Sequence, residues 1–362
     1  MSRLGISIYP EHSTMERDFA YMELAAACGF KRLFTCFLSV VDHIDSEVEK
    51  YQKYIQKAHE LGYTVSLDTN PAVFEALGAS HMDVKIFADM GVDILRLDIS
   101  FGTFMDAILT RNPYGIKIEL NGSFDNGSIT LLENGADPDN LLICHNFYPQ
   151  KYTGLSYQKF IELSKKWKDA NLLTSAFVSS RQQDTFGPWE VYCGLPTLEI
   201  HRGLPIDLQA RHLISTGLID DIIIGNAYAS EEELKALSRI RFDKKEVRIK
   251  LHHELNAVEN KIVHTLPHFS RLDESDYLIR SYLTKKYAKK IQVPAIEYPY
   301  KQFKRGAIVM INDNLEKYRG ELQIVLQDID NEGYQNIIGE IIEEELIILE
   351  NIKPGSMFAF IS

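Results

Sequence analysis

Eight times in succession, a short apolar run that reads as a strand is followed by a stretch that reads as a helix. The eight units occupy roughly the first 240 residues, the size of a (β/α)8 barrel. "LGISIYP" precedes "STMERDFAYMELAAACG", and "KRLFTCFL" precedes "SEVEKYQKYIQKAHELG". "YTVSLDTN" precedes "PAVFEALGASHMDVKIFADMG", and "DILRLDIS" precedes "FGTFMDAIL". "GIKIELNGS", "LLICHNFYP", "LLTSAFVSS" and "IDDIIIGNA" open the remaining four units. Several helical stretches end in glycine, as at Gly29, where a left-handed cap belongs.

A doubly wound open sheet is the competing α/β fold. It would ordinarily carry a glycine-rich phosphate turn after an early strand, and none is visible. Side-chain parity separates the two further, because alternate strand residues face opposite sides. Leu4, Ile6 and Ile8 oppose Ser7 and Tyr9, while Val65 and Leu67 oppose Ser66, Asp68 and Asn70. Leu95, Leu97 and Ile99 oppose Arg96 and Asp98; Ile116, Ile118 and Leu120 oppose Lys117, Glu119 and Asn121. Each strand has one greasy face for helices and one polar face. An open sheet covered by helices on both sides would be apolar on both. A barrel whose polar groups converge at one end fits better.

After about Arg241 the long helical patterns give way to short alternating or apolar runs such as "EVRIKLHHEL", "GAIVMIN", "ELQIVLQDI" and "MFAFIS". They predict a second, mostly β domain. The expected division is a catalytic barrel over 1–241 and a β domain over 242–362. "YLIRSYLTKKYAKK" reads as one short helix within the latter.

With 39 basic and 51 acidic residues, the net charge of -12 argues against nucleic acid as a partner. Four cysteines, Cys28, Cys36, Cys144 and Cys193, make no zinc pattern. The N-terminal "MSRLGISIYPEH" has no apolar secretion run, and no stretch suggests a membrane span. A cytoplasmic location and no membrane partner are the expectation.

Barrel enzymes hold their chemistry at the C-terminal ends of the strands. That selects Tyr9 and Glu11, Thr35 and Phe37, Asp68 and Asn70, Arg96 and Asp98, Glu119 and Asn121, then His145, Asn146 and Tyr148. Asp98 and Glu119 lie on neighbouring strands at what reads as similar depth. Two carboxyls so placed suit glycoside hydrolysis, one as acid and the other as nucleophile or base. The bland alternative pairs Asp98 with Arg96 and Glu119 with Lys117 in a structural charge network. A metal set drawn from Asp68, Asp98, Glu119 and His145, as in a sugar-phosphate isomerase, epimerase or aldolase, is a second alternative. The long loop after the seventh strand, "RQQDTFGPWEVYCGLPTLEIHRGLP", brings Arg181, Glu199, His201 and Arg202. Loops there frequently bind phosphate, although Glu199 and Arg202 could equally form a surface pair.

The ordered set "GISIYP", "LRLDIS", "IELNGS", "CHNFYP" with "YTGLS", and "GLPTLEIHR" resembles one family across nearly the whole chain. These are the 6-phospho-N-acetylmuramidases of Gram-positive bacteria, earlier described as an "outer surface protein" family. The resemblance implies a (β/α)8 barrel followed by a small cyclophilin-like β-barrel domain. It implies cytoplasmic hydrolysis of 6-phospho-N-acetylmuramyl–N-acetylglucosamine during peptidoglycan recycling, with Asp98 and Glu119 catalytic. Substrate binding would fall to Tyr9, Asp68, Asn70, Arg96, Asn121, His145, Asn146, Tyr148, Arg181, Glu199, His201 and Arg202. No cofactor or metal is expected. The expected partner is a phosphorylated disaccharide, and a homo-oligomer is left open. The older label leaves a non-enzymatic carbohydrate-binding surface protein as the remaining alternative. Two departures from the pattern stand out. Gln150 and Lys151 replace an arginine and a proline after "HNFYP", and Thr185 and Phe186 precede Gly187 in place of an arginine.

Overall fold

The computed structural model describes residues 3–38, 44–189, 193–288, 291–299 and 301–361. The chain divides into two compact units, Met1–Ile240 and Arg241–Ser362.

The first unit is a closed barrel of eight parallel strands. They are β1 (Arg3–Ile8), β2 (Arg32–Cys36), β3 (Thr64–Thr69), β4 (Ile94–Leu97), β5 (Lys117–Asn121), β6 (Leu141–Cys144), β7 (Leu173–Val178) and β8 (Asp221–Ile224). β8 pairs back onto β1, with Asp221 opposite Arg3 and Ile224 opposite Ile6. The covering helices are α1 (Met15–Ala27), α2 (Ile44–Glu60), α3 (Pro71–Ala76), α4 (Lys85–Met90), α5 (Thr103–Leu109), α6 (Ser128–Glu133), α7 (Tyr157–Asp169), α8 (Ile206–Thr216) and α9 (Glu231–Ser238). The third helical stretch thus folds as two helices rather than one. Its break falls at Leu77 and Gly78, where φ of +65° suits glycine and ends α3.

Leu4, Ile6, Ile8, Val65, Leu67, Leu95, Leu97, Ile118 and Leu120 form one buried cluster with Met22, Tyr51, Phe87, Phe160, Trp167 and Leu213 of the helices. This is the greasy face that parity predicts. Burial of each such side chain contributes roughly 1.5–3 kcal/mol, so the strand–helix layer dominates stability. The opposite face fills the barrel with polar and aromatic side chains.

The second unit is a seven-stranded sheet with a two-stranded ribbon of β12 (Gln302–Phe303) and β15 (Ile329–Asp330). Its spatial order begins with β10 (His268–Phe269), β17 (Met357–Ile361) and β9 (Lys245–Leu251). It continues through β16 (Gln335–Ile341), β13 (Ala307–Ile311) and β14 (Leu322–Val325) to β11 (Leu278–Arg280). A bridge between Ser270 and Ser281 links the chain just beyond the two edge strands, so the sheet nearly closes on itself. The helix expected over "YLIRSYLTKKYAKK" is corrected. Leu278–Arg280 pairs antiparallel with β14, and among the described residues of this stretch only Thr284–Ala288 is helical. Pairing onto an open sheet edge outweighs weak helical propensity in so short a run.

Candidate active site

Register, not position along each strand, sets depth in a barrel, because closure requires neighbouring strands to be staggered. Asp68 stands opposite Arg96, and Arg96 stands opposite Glu119. Asp98 is therefore two residues nearer the C-terminal mouth than Glu119, about 7 Å along the strand direction. The expectation that these carboxyls share one depth is corrected.

Glu119 belongs to the barrel floor. It is fully buried and ion-paired with Nη2 of Arg32, itself only 1% exposed. Nη1 of Arg32 donates to Asp221 Oδ2 at 2.8 Å and to Ser175 Oγ at 3.0 Å, and Nη2 to Ser66 Oγ at 2.8 Å. Burial opposes the charge on Arg32, but Glu119 and Asp221 outweigh it and hold the guanidinium ionised. Burial also pushes the Asp221 carboxyl up, yet Arg32 and Arg3 bring it below its ordinary value. Lys117 plays no part in holding Glu119. Its Nζ donates to the carbonyl of Asp139 at 3.1 Å.

The mouth is organised by Arg96. Its Nη1 is bound to Asp68 Oδ1 and lies 3.8 Å from Asp98 Oδ1. Its Nη2 donates to Asn146 Oδ1. Two carboxylates thus meet at one nitrogen. Their facing oxygens can be no further apart than the sum of those two contacts. The environments differ: Asp68 is buried, whereas the Asp98 side chain is 40% exposed. Burial raises the Asp68 carboxyl to about 6, against the opposing pull of Arg96. Backbone bonds brace this cluster, since the Asn146 N–H donates to Ser123 Oγ at 2.8 Å and the Ser123 N–H to Asn121 Oδ1 at 2.9 Å.

Strand parity decides between His145 and Asn146. Leu141 and Ile143 face the helices, so His145 does too. Its Nε2 lies 2.9 Å from Ser164 Oγ on α7, and its ring packs against Phe160. Burial depresses it to about 3, which keeps the imidazole neutral. His145 is therefore withdrawn from the mouth, and Asn146 alone reaches Arg96. The proposed metal set falls with it. Among the described residues no three His, Cys, Asp or Glu side chains converge as metal ligands.

Other candidates serve the scaffold. Asn70 caps α3 through Oδ1, which accepts from the Val73 N–H at 3.0 Å. The Tyr9 hydroxyl donates to the carbonyl of Gly225, and its ring is 2% exposed. His201 is buried with Nε2 2.9 Å from Nδ1 of His212, and burial depresses its basicity. On β2 the inward residues are Arg32, Phe34 and Cys36, so Phe37 packs outward against Tyr51 and Thr35 is buried. Tyr148 is half-buried, its N–H donating to the carbonyl of Pro196 at 3.1 Å.

Glu199 and Arg202, three apart on a single 3-10 turn (Glu199–His201 and its cap), are more than a surface pair. The guanidinium grips both carboxylate oxygens at 2.8 Å. Glu199 also accepts from the N–H groups of Tyr152 and Gly154, at 2.9 and 2.8 Å. Arg202 donates to the carbonyls of Tyr148, Gln150, Cys193 and Gly194 at 2.7 to 3.2 Å. Together they clamp the loop after β6 to the loop after β7. Arg202 and these amides hold the Glu199 carboxyl down at about 2.

Sequence reasoning missed Arg32 on the barrel floor, and Phe147 and Trp189 above it. Phe147 packs on Phe34 and Phe177 inside the barrel, and Trp189, 45% exposed, lies over Phe147 with ring centres 5.7 Å apart. Shifting the parity of β2 by one residue would have found Arg32. Nothing local marks the other two.

Profiles described as 6-phospho-N-acetylmuramidase, N-terminal and C-terminal, match residues 4–239 and 245–361. The chain belongs to this family. It is a glycoside hydrolase. The structure is similar to that of an uncharacterized B. cereus protein, with 41% identity, TM-score 0.91 and full coverage of both chains. It is also similar to a conserved Enterococcus faecalis protein with an unknown function. There identity is 24% and TM-score 0.70, over 100% of this chain and 96% of the other. No curated protein matches the chain. No described helix is long and apolar enough to cross a membrane.

Proposed function

We propose that this hydrolase cleaves the glycosidic bond of a 6-phospho-N-acetylmuramyl sugar carrying N-acetylglucosamine as its leaving group, in the cytoplasm, during peptidoglycan recycling. The observation that carries the reading is the meeting of Asp68 and Asp98 at Nη1 of Arg96, at the barrel mouth of a chain from this family. Asp98 keeps the catalytic role expected of it. Asp68 takes the role expected of Glu119, which is sealed beneath the site on Arg32.

Asp68, raised to about 6, carries the proton for the leaving oxygen. Asp98 bonds to the anomeric carbon as the C1–O bond breaks. Water then attacks C1, releases Asp98 and returns its proton to Asp68. Because both carboxyls contact one nitrogen, their facing oxygens lie closer than the roughly 6.5–9.5 Å typical of inverting enzymes, which favours the retaining course. Arg96 holds both and loses no proton in the cycle. Trp189 offers an exposed ring to a sugar face.

The test uses the phosphorylated disaccharide with product identification and the variants Asp68→Asn and Asp98→Asn. Each is expected to lose about 10³-fold or more in kcat. An activated aryl leaving group should rescue Asp68→Asn preferentially, because such a group needs no proton. Full activity in both variants sinks the assignment.

A further inference from the structure

We propose that the cavity between the loops after β6 and β7 is the subsite for an oxyanion of the substrate, with Lys151 and Arg181 supplying its charge. This rests on the glycosidase reading above. The cavity encloses about 570 Å³, enough for a sugar phosphate. Its wall includes Lys151, Arg181, Arg202, Ser180, Gln182 and Thr185, and none of the described residues lining it is acidic. On a chain with twelve more acidic than basic residues, Lys151 and Arg181 bring positive charge to a wall without carboxylates, while Arg202 there is paired with Glu199.

The three cations are not equivalent. Arg202 is committed to Glu199 and to four backbone carbonyls, so it shapes the wall. Arg181 donates one Nη1 bond to the carbonyl of Gly203 at 3.0 Å, which anchors one arm of its guanidinium. Glu233 accepts from the Arg181 N–H and from Ser180 Oγ, and with Asp207 and Glu232 it lines an adjoining cavity beside α8 and α9 that shares Arg181 and Gln182 with this one. Lys151 enters from the loop after β6, five residues beyond Asn146. That same loop carries Tyr148, whose N–H is bonded to Pro196 on the cavity wall. Lys151 and Thr185, from the loops after β6 and β7, therefore face one cavity.

Binding to the full chain is measured with N-acetylglucosamine 6-phosphate, N-acetylmuramic acid, N-acetylglucosamine and inorganic phosphate. The first carries the phosphate alone and the second the carboxylate alone, so the arms identify which oxyanion is held. Wild type is expected to favour one of these anionic sugars over N-acetylglucosamine by tenfold or more. Lys151→Gln and Arg181→Gln should each cut that preference several-fold, and the double variant should abolish it. Lys235→Ala, a surface cation on α9 paired with Glu231, should leave it intact. Unchanged preference in the double variant, with its melting temperature intact, overturns the proposal. An equal loss in Lys235→Ala does so too, because it would reveal only diffuse charge. Lys151-dependent binding without any glycosidase activity would sustain the subsite and overturn the catalytic reading instead.

Discussion

Asp68 is the side chain whose proton leaves a double signature. Its folded value, about 6, lies above the ordinary carboxyl value, so the folded state holds the proton more tightly than the unfolded chain. The resulting stability is complete below about pH 4 and is lost as pH rises through 6. A proton held that much more tightly contributes about 3 kcal/mol. Melting temperatures from pH 4 to 7 should therefore show a downward component in wild type that Asp68→Asn lacks. The same proton should set the alkaline limb of kcat/KM near pH 6. A limb that stays at the same pH in an active Asp68→Asn variant would transfer the acid role elsewhere. Arg32 makes the opposite kind of prediction. It neutralises Glu119 and Asp221 in the barrel interior, where an unpaired charge is costly. Arg32→Met should destabilise the protein by about 3–5 kcal/mol. A calorimetric melt indistinguishable from wild type would show that the two carboxyls are relieved in another way.

Between elements, the decisive contact is the clamp of Glu199 and Arg202 on the loops after β6 and β7. Lysine cannot span the Glu199 carboxylate and four carbonyls at once, because those acceptors match the fork of a guanidinium. Arg202→Lys should raise KM for the phosphorylated substrate about tenfold, with a smaller change in kcat. The reverse split would place Arg202 in the chemistry instead. Strands and helices were legible in the sequence because their periods differ, two against 3.6, and because positive-φ glycines such as Gly29 and Gly217 close the helices. The site was only half legible. Parity could name the faces of β3, β4 and β5, but the stagger that separates Asp98 from Glu119 exists only once the barrel closes. On β2 parity is ambiguous, because Leu33 makes one face apolar and Phe34 the other, and Arg32 is hidden by that ambiguity. The pair Glu199 and Arg202 looked like a local i,i+3 contact because the loop after β6 that it holds is more than 40 residues away in sequence.

At the scale of the molecule, the two units share no strand. The ring of β1 to β8 is hydrogen-bonded entirely within residues 3–224, and the seven-stranded sheet draws only on residues 245–361. Each has a buried cluster of its own, one built around Leu95 and Phe160, the other around Phe303 and Val309. A unit whose backbone bonds and core are both internal meets the physical requirements of an independently folding domain. Residues 1–240 and 241–362, expressed separately, should each unfold cooperatively, with dispersed amide spectra and a single thermal transition. The barrel holds Asp68, Arg96, Asp98, Asn146, Lys151 and Arg181, the whole of the proposed chemistry and its oxyanion subsite. The isolated barrel should therefore retain the preference for an anionic sugar over its neutral counterpart. If the barrel folds yet loses that preference, the second unit must supply part of the site.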